Sequence, residues 1–275
     1  MREILDMYKV YLEEKERCDS TIVQYLREAE RFISELGDGE ILTKAKVIAY
    51  KEKLCEQYRI SSVNAKIAAV NSFLEYIGKS DIKVRCIRIQ KQIYCSQKKE
   101  LTRKDYLKLL RCAEKSGNER LSLILQTLGG TGIRVSELKY ITVEAVERGE
   151  ACILLKGKNR VILISGRLQK QLKHYIMRKD IDAGPVFVTR NMKPLDRSNI
   201  WKMFKRLGER AGVENSKVFP HNIRHLFAKC FYDKEKDIAK LADVLGHSSI
   251  NTTRIYIITS GYEHRRILDT LGLVI

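Results

Sequence analysis

The sequence predicts a mainly α fold (α+β), with two helical domains and one small antiparallel β-hairpin. Apolar residues recur at helical spacing along most of the 275 residues. Two short runs, 152–155 and 161–164, are rich in β-prone residues. A basic stretch without periodicity separates the two helical parts. We therefore predict an N-terminal four-helix domain over residues 1–79, a basic linker over 80–100 and a mostly helical second domain over 101–275.

Four helices are predicted in the first domain. The clearest apolar repeat covers residues 22–36, with a serine before it that can cap a helix and a glycine after it that can end one. A second clear repeat covers 67–77, and weaker repeats cover 4–12 and 47–54. Lysine and arginine lie between the apolar positions, so this small bundle should present one basic face.

The second domain is predicted to open with a capping box, in which Thr102 starts a helix and Asp105 takes the acidic position. The two β-prone runs come after two helices, and the segment 156–160 between them has the composition of a hairpin turn. The predicted helices of this domain cover 103–114, 118–129, 167–178, 197–211, 221–233, 236–245, 250–258 and 263–271.

The chain is strongly basic. It has 52 lysines and arginines against 34 aspartates and glutamates, which gives a formal net charge of +18. Such an excess favours a polyanion as partner, because neutralising phosphates releases their condensed counterions. Charge alone would also fit a basic enzyme with an unrelated substrate.

Other features of the sequence indicate the compartment. None of the seven cysteines forms a Cys-x-x-Cys pair, which fits thiols in a reducing cytosol better than disulfides or a zinc site. The first six residues carry charges where a signal peptide needs an apolar run. The most apolar stretch, near 121–133, is too short to span a bilayer. We expect a cytoplasmic protein with no membrane partner.

Six polar residues in the second half of the chain are expected to carry the chemistry. Five of them can donate hydrogen bonds or positive charge to a phosphate, and the sixth is a tyrosine whose hydroxyl can attack one. No comparable set of aspartates and glutamates accompanies them, so we expect neither a metal-dependent nuclease nor any cofactor. The candidate residues are Arg134, Lys156, His221, Arg224, His247 and Tyr256.

The first two candidates occur in contexts that suit anion binding. Arg134 follows the glycine-rich run 129–132 at a predicted helix start, where an anion can bind, and Glu137 could hold its guanidinium. Lys156 would lie at the hairpin tip, from which it could protonate a departing oxygen, and Lys158 competes for that role. Taken alone, each would more often be an ordinary surface residue.

The other candidates come from three later segments. His221 and Arg224 are three positions apart and share a helix face, so both can address one phosphate. His225 lies on a neighbouring face and is interpreted as structural. His247 is expected in a turn, because a glycine can stop one helix before it and serines can cap the next. Tyr256 would need a positive pocket to become a nucleophile.

Together these residues resemble the motifs of the tyrosine recombinase (phage integrase) family in residue type, order and spacing. The chain is most like the simple, Xer-like members that have two domains. It departs from the family in a shorter hairpin turn and in lacking the arm-type DNA-binding domain of larger phage integrases. The matching motifs are Arg134 with Ser136-Glu137-Leu138, His221-x-x-Arg224-His225, Leu245-Gly246-His247 and Tyr256.

The resemblance implies phosphoryl transfer without a metal ion. Arg134 and Arg224 would clamp the non-bridging oxygens of the scissile phosphate. The two histidines of the candidate set would add hydrogen bonds, and His221 could help to take the tyrosine proton. Tyr256 would attack and give a 3′-phosphotyrosyl bond with a free 5′-hydroxyl, while Lys156 would protonate the leaving 5′ oxygen.

The resemblance also implies partners. Residues 1–79 would form a core-binding domain and 101–275 a catalytic domain, and the two would close around duplex DNA as a C-shaped clamp. Recombination of two duplexes needs four active sites, which implies a homo- or hetero-tetramer on paired DNA sites. An accessory protein or a partner recombinase could take part. Residues 262–275 could dock on a neighbouring subunit or pack on their own domain.

The sequence leaves two other functions open. A type IB topoisomerase shares the tyrosine chemistry and would relax plasmids without dependence on a site. A DNA-binding accessory protein would bind without ever cleaving.

Overall fold

The computed structural model describes residues 2–36, 41–88, 100–155, 158–247, 249–256 and 270. At residues 2 and 154–159 only the backbone is described. Within these ranges the protein is mostly helical and has a two-stranded antiparallel sheet, so the predicted fold class is confirmed. The chain divides into two compact units, Met1–Lys91 and Gln92–Ile275. None of the described helices is both long enough and apolar enough to cross a membrane.

In its described part, the first unit has the four predicted helices. Each begins before its apolar repeat, and the first and third also end after it. The second helix begins at Asp19, whose negative charge suits the positive end of a helix. The bounds are α1 Arg2–Glu14, α2 Asp19–Leu36, α3 Lys44–Gln57 and α4 Ile60–Tyr76, followed by a 3₁₀ turn at Ser80–Ile82.

Aromatic side chains fill the core of this unit. Phe32 of α2 meets Tyr50 of α3 edge to face, with ring centroids 5.0 Å apart. Tyr8 of α1 meets Phe73 of α4 in the same way at 5.2 Å. All four side chains are buried. Such pairs add directional attraction to the stabilisation that apolar burial provides, and they connect α2 with α3 and α1 with α4.

The first part of the expected linker runs along α4. The side-chain amide of Asn71 donates to the carbonyl of Val84 at 2.8 Å and accepts from the Val84 amide at 3.1 Å. Asn64 forms the same pair of bonds with Ile87, both at 2.8 Å. Two asparagine side chains thus form hydrogen bonds with the backbone N–H and C=O groups of this extended segment, as a neighbouring strand would. Residues 89–99 of the expected linker lie outside the described residues.

The second unit begins with the predicted capping box. Oγ1 of Thr102 accepts from the Asp105 amide at 3.1 Å, and Oδ2 of Asp105 accepts from the Thr102 amide at 3.2 Å. The helices of this unit are α5 Arg103–Lys115, α6 Glu119–Thr131, a 3₁₀ helix at Val135–Tyr140, α7 Val143–Arg148, α8 Gly166–Lys179, α9 Arg197–Ala211, α10 Pro220–Glu235, α11 Ile238–Leu245 and α12 Ile250–Arg254.

The β-hairpin is longer than predicted. Strand β1 covers Glu150–Leu155 and β2 covers Lys158–Leu163, with Leu155 opposite Lys158. Residues 158–160, which were predicted to lie in the turn, therefore belong to β2, because pairing with β1 continues through them. The two residues between the strands, 156–157, lie outside the described residues.

The C-terminal predictions can be followed only in part. Helix α12 ends at Arg254, and Ile255 and Tyr256 come after it. Apart from Thr270, the predicted helix over 263–271 lies outside the described residues. The expected docking of residues 262–275 falls there as well.

Close packing of α6 on α10 fixes the frame of the second unit. Gly132 follows α6 in the left-handed region, with φ of +63°. A Cβ at this position would lie 2.3 Å from Cδ1 of Phe227 on α10. Only glycine tolerates both the dihedral angle and the close approach. The end of α6 and the middle of α10 are therefore held against each other.

We expect Gly132→Ala to lower the free energy of unfolding by about 2 kcal/mol, through backbone strain and overlap with Phe227. Gly130→Ala is the matched control, because a Cβ there would meet only Leu168, at 3.8 Å. This second change should stabilise the helix by up to about 1 kcal/mol. Chemical denaturation measures both values, and equal stability of the two variants would contradict the packing described.

Candidate active site

Arg224 lies at the centre of the site, on α10, and is 1% exposed. Its guanidinium donates to the carbonyl of Gly132 at 2.6 Å and to that of Leu245 at 2.8 Å. Gly132 caps α6 and Leu245 is the last residue of α11, so both acceptors lie at the negative ends of helices. Two helix ends therefore stabilise this buried cation.

Arg224 keeps part of its hydrogen-bonding capacity. Burial first, and then the charge of Arg134, lowers the pKa of Arg224, but a guanidinium still stays protonated in a protein. It has five N–H groups, and the two carbonyls and His247 accept from three of them. Tyr256 also interacts with the guanidinium, and the buried Nε has no acceptor among the described residues.

The protonation state of His247 follows from its two hydrogen bonds. Its Nε2 lies 2.8 Å from Nη2 of Arg224, and its Nδ1 lies 2.8 Å from Oγ1 of Thr253. A guanidinium can only donate, so Nε2 accepts and the ring proton is on Nδ1. Burial, and then Arg224 and Arg134, lowers the pKa of His247 to about 4. The ring is therefore neutral at neutral pH.

Tyr256 packs among three histidine rings beside Arg224. The distances from its ring centroid to the ring centroids of His225, His247 and His221 are 4.3, 5.5 and 5.7 Å. The guanidinium carbon of Arg224 lies 5.8 Å from the same centroid. A small apolar cluster of α10 and α11 also contacts the ring. The candidate nucleophile thus adjoins the buried cation.

His221 and His225 form an edge-to-face pair, with ring centroids 4.8 Å apart. Burial first, and then the charges of Arg224 and Arg134, lowers the pKa of His221. Burial, and then His221, lowers the pKa of His225 to about 4. The interpretation of His225 as structural stays a prediction, and its ring packs directly on Tyr256.

Arg134 precedes the 3₁₀ helix, and Glu137 holds it. Oε1 of Glu137 accepts from Nη1 of Arg134 at 2.9 Å, and Oε2 accepts from the Arg134 amide at 2.7 Å. Glu137 is 1% exposed, whereas the side chain of Arg134 is 45% exposed. The pairing that the sequence suggested is present, and it leaves one side of Arg134 accessible to a ligand.

Arg160 also belongs to this site, although local composition had assigned it to the hairpin turn. It lies on β2. Its Nη1 donates to Oε2 of Glu137 at 3.0 Å, and its Nη2 donates to the carbonyl of Val244 at 2.8 Å. Both partners are distant in the chain, so no local sequence pattern could have indicated this role.

Most of the predicted residues come together around Arg224. The positive charge of Arg134 lowers the pKa of Arg224, His221 and His247. Lys156 lies outside the described residues, and only the backbone of Lys158 is described. The choice between the two lysines stays a prediction. The residues brought together are Arg134, His221, Arg224, His247 and Tyr256.

Comparison with known proteins identifies the family. Residues 99–261, more than half of the chain, match the phage integrase family. The chain belongs to this family. Tyrosine recombinase XerA of Pyrococcus furiosus is 30% identical over 264 residues, which cover 92% of this chain and 88% of the relative. The predicted membership in the tyrosine recombinases is confirmed.

Solved structures of other tyrosine recombinases share the fold. XerH site-specific recombinase bound to difH substrate, in a pre-cleavage complex, has a TM-score of 0.70 at 19% identity, over 91% of this chain and 79% of that one. A lambda integrase tetramer bound to a Holliday junction has a TM-score of 0.73 at 18% identity, over 93% of this chain and 76% of that one.

The neutral histidines should make the stability of this tyrosine recombinase depend on pH. The pKa of both His225 and His247 is about 4, below the ordinary 6.5. Between these values the unfolded chain binds more protons than the folded one, so the free energy of unfolding rises with pH. This contribution is complete above about 6.5 and is lost as the pH falls towards 4.

His225→Phe keeps a ring against Tyr256 and removes one titrating group. We expect this variant to show a weaker pH dependence of its free energy of unfolding between pH 4 and pH 6.5 than the unaltered protein. Chemical denaturation at a series of pH values measures the slope. An unchanged slope would show that His225 is not held neutral by the fold.

Proposed function

We propose that this chain is a site-specific DNA recombinase that breaks and rejoins duplex DNA through a covalent tyrosine–phosphate bond. The observation that carries the proposal is the position of Tyr256. Its ring centroid lies 5.8 Å from the guanidinium carbon of Arg224 and 5.5 Å from the ring centroid of His247. Phosphoryl transfer needs a nucleophile next to fixed donors that stabilise the charge developing on the phosphate. Membership in the phage integrase family supports the same chemistry.

In the proposed step, Oη of Tyr256 attacks the scissile phosphorus and forms a P–O bond, while the bond from phosphorus to the 5′ oxygen breaks. His221 takes the phenol proton, and Lys156 gives a proton to the 5′ oxygen, which leaves as a hydroxyl. The products are a 3′-phosphotyrosine and a free 5′-hydroxyl. Attack by a 5′-hydroxyl on the phosphotyrosine reverses these changes, so rejoining needs no external energy source.

Arg134 and Arg224 are proposed to bind the non-bridging oxygens. Arg224 suits this role because helix carbonyls fix it before any substrate binds, which avoids reorganisation during the reaction. Arg134 suits it because Glu137 orients a side chain that is still 45% exposed. His247 uses both ring nitrogens on Arg224 and Thr253, so we propose that it acts on the phosphate through Arg224.

Duplex DNA with paired recombination sites is the proposed partner. The net charge of +18 supports a polyanion, and XerH is known in complex with difH substrate. We propose residues 1–79 as a core-binding domain and 101–275 as the catalytic domain. We also propose a homo- or hetero-tetramer on DNA, with lambda integrase as a tetrameric precedent. A cytoplasmic location fits the cysteines of the described ranges, none of which forms a disulfide.

Tyr256→Phe should bind DNA like the unaltered protein but form no covalent adduct, because the attacking oxygen is missing. The assay uses a suicide duplex, nicked beside a site selected by binding, and a denaturing gel. Tyr232→Phe is the matched control, since it removes a hydroxyl from the same aromatic cluster, and it should keep the adduct. An adduct with Tyr256→Phe would exclude this residue as the nucleophile.

Two assays on the unaltered protein distinguish the proposed function from its rivals, the suicide-duplex assay and relaxation of a supercoiled plasmid. Binding without any adduct would indicate an accessory protein. Relaxation of supercoiled plasmid that lacks the selected site would indicate a topoisomerase.

Lys156→Ala should slow cleavage by roughly a hundredfold or more, the usual effect of losing a general acid. A 5′-bridging sulfur at the scissile phosphate should restore the rate, because a thiolate leaves without needing a proton. Lys158→Ala is the matched control and should cleave both substrates at normal rates. The opposite result would identify Lys158 as the general acid. In that case Lys156→Ala would cleave at the normal rate, and Lys158→Ala would be slow unless the substrate carried the bridging sulfur.

A further inference from the structure

Arg160 joins three separate segments of the site but has no part in the chemical steps above. It comes from β2, the strand that starts immediately after residues 156–157. Its Nη1 binds Glu137, which follows α6, and its Nη2 binds the carbonyl of Val244 near the end of α11. The planar guanidinium can hold both acceptors in one fixed geometry.

The first contact places Arg160 in the same ion cluster as Arg134. Oε2 of Glu137 accepts from Nη1 of Arg160 and from the backbone amide of Arg134, while Oε1 accepts from Nη1 of Arg134. The side chain of Glu137 is 2% exposed and that of Arg160 is 10% exposed. Buried charges need fixed partners, because removing one leaves the others uncompensated. Arg160 therefore fixes the carboxylate that orients Arg134.

The second contact controls the turn that carries His247. Gly246 follows α11 with φ of +64°, and a Cβ there would lie 2.3 Å from Cδ of Arg160. The glycine of the Leu245-Gly246-His247 motif is thus required by the stem of Arg160 as well as by its own dihedral angle. Together with the bond to Val244, this contact sets where α11 ends, and hence where the Leu245 carbonyl meets Arg224.

We propose that Arg160 is a positioning residue for DNA cleavage. It acts through Glu137 on Arg134, and through the end of α11 on Arg224 and His247, and it does not bind the phosphate itself. Each of its Nη atoms donates a hydrogen bond within the protein, its Nε is buried, and little of the side chain is exposed. The inference rests on the proposed function.

The test measures single-turnover cleavage of the suicide duplex at saturating protein. Arg160→Met keeps the length of the stem but loses both hydrogen bonds. Its cleavage rate constant should fall by roughly a hundredfold, the effect expected of a displacement of about 1 Å in a catalytic site. Its affinity for DNA should stay unchanged. Arg148→Met, which removes an exposed arginine at the end of α7, is the matched control and should cleave normally.

The rate constant separates positioning from simple loss of folded protein. Partial unfolding would reduce the amplitude of cleavage without changing its rate constant, and that result would overturn the proposal. Weakened DNA binding with a normal rate constant at saturation would overturn it too, because it would mean a DNA contact. If Arg160→Met does not fold, Arg160→Lys, which keeps the charge but not the two-pronged geometry, should still cleave about tenfold more slowly.

A double variant tests the route through Glu137. If Arg160 acts partly through this carboxylate, the loss in Glu137→Gln/Arg160→Met should be smaller than the product of the two single losses. Fully multiplied losses would overturn that route. Failure of the unaltered protein to form any adduct would overturn the proposed function itself, whereas normal rate constants in both Arg160 variants would overturn only this inference.

Discussion

The active site depends on one buried cation, Arg224, which donates hydrogen bonds to two helix carbonyls and a neutral imidazole. A charge removed from water is costly unless the protein hydrogen-bonds to it. The ends of α6 and α11 supply that stabilisation with partial charges, and no carboxylate pairs with Arg224 among the described residues. The cation is therefore held in place without being neutralised. A phosphate that reaches it would meet a nearly undiminished positive charge.

The need to hold Arg224 between two helix ends explains the residue types found around it. Gly132 must be glycine so that α6 can end against α10, and Gly246 must be glycine so that α11 can end against the stem of Arg160. Glu137 is a carboxylate shared by Arg134 and Arg160. The excess of positive charge adds to burial in keeping the nearby histidines neutral, so that they can accept or donate hydrogen bonds without repelling the arginines.

Features set by neighbouring residues could be predicted from the sequence. The capping box at Thr102 depends on residues three apart, and so does the common helix face of His221 and Arg224. The role of Arg160 could not be predicted, because its partners lie 23 and 84 residues away and its neighbours resemble a turn. The tautomer of His247 likewise depends on tertiary contacts, with Arg224 and Thr253.

The most direct test of the assembled site is to find which residue becomes covalently bound to DNA. The unaltered protein would be trapped on a suicide duplex and digested, and the peptide carrying the nucleotide would be sequenced by mass spectrometry. We expect the nucleotide on Tyr256 and on none of the other twelve of the chain's 13 tyrosines. Attachment to any other residue would contradict the placement of the nucleophile beside Arg224.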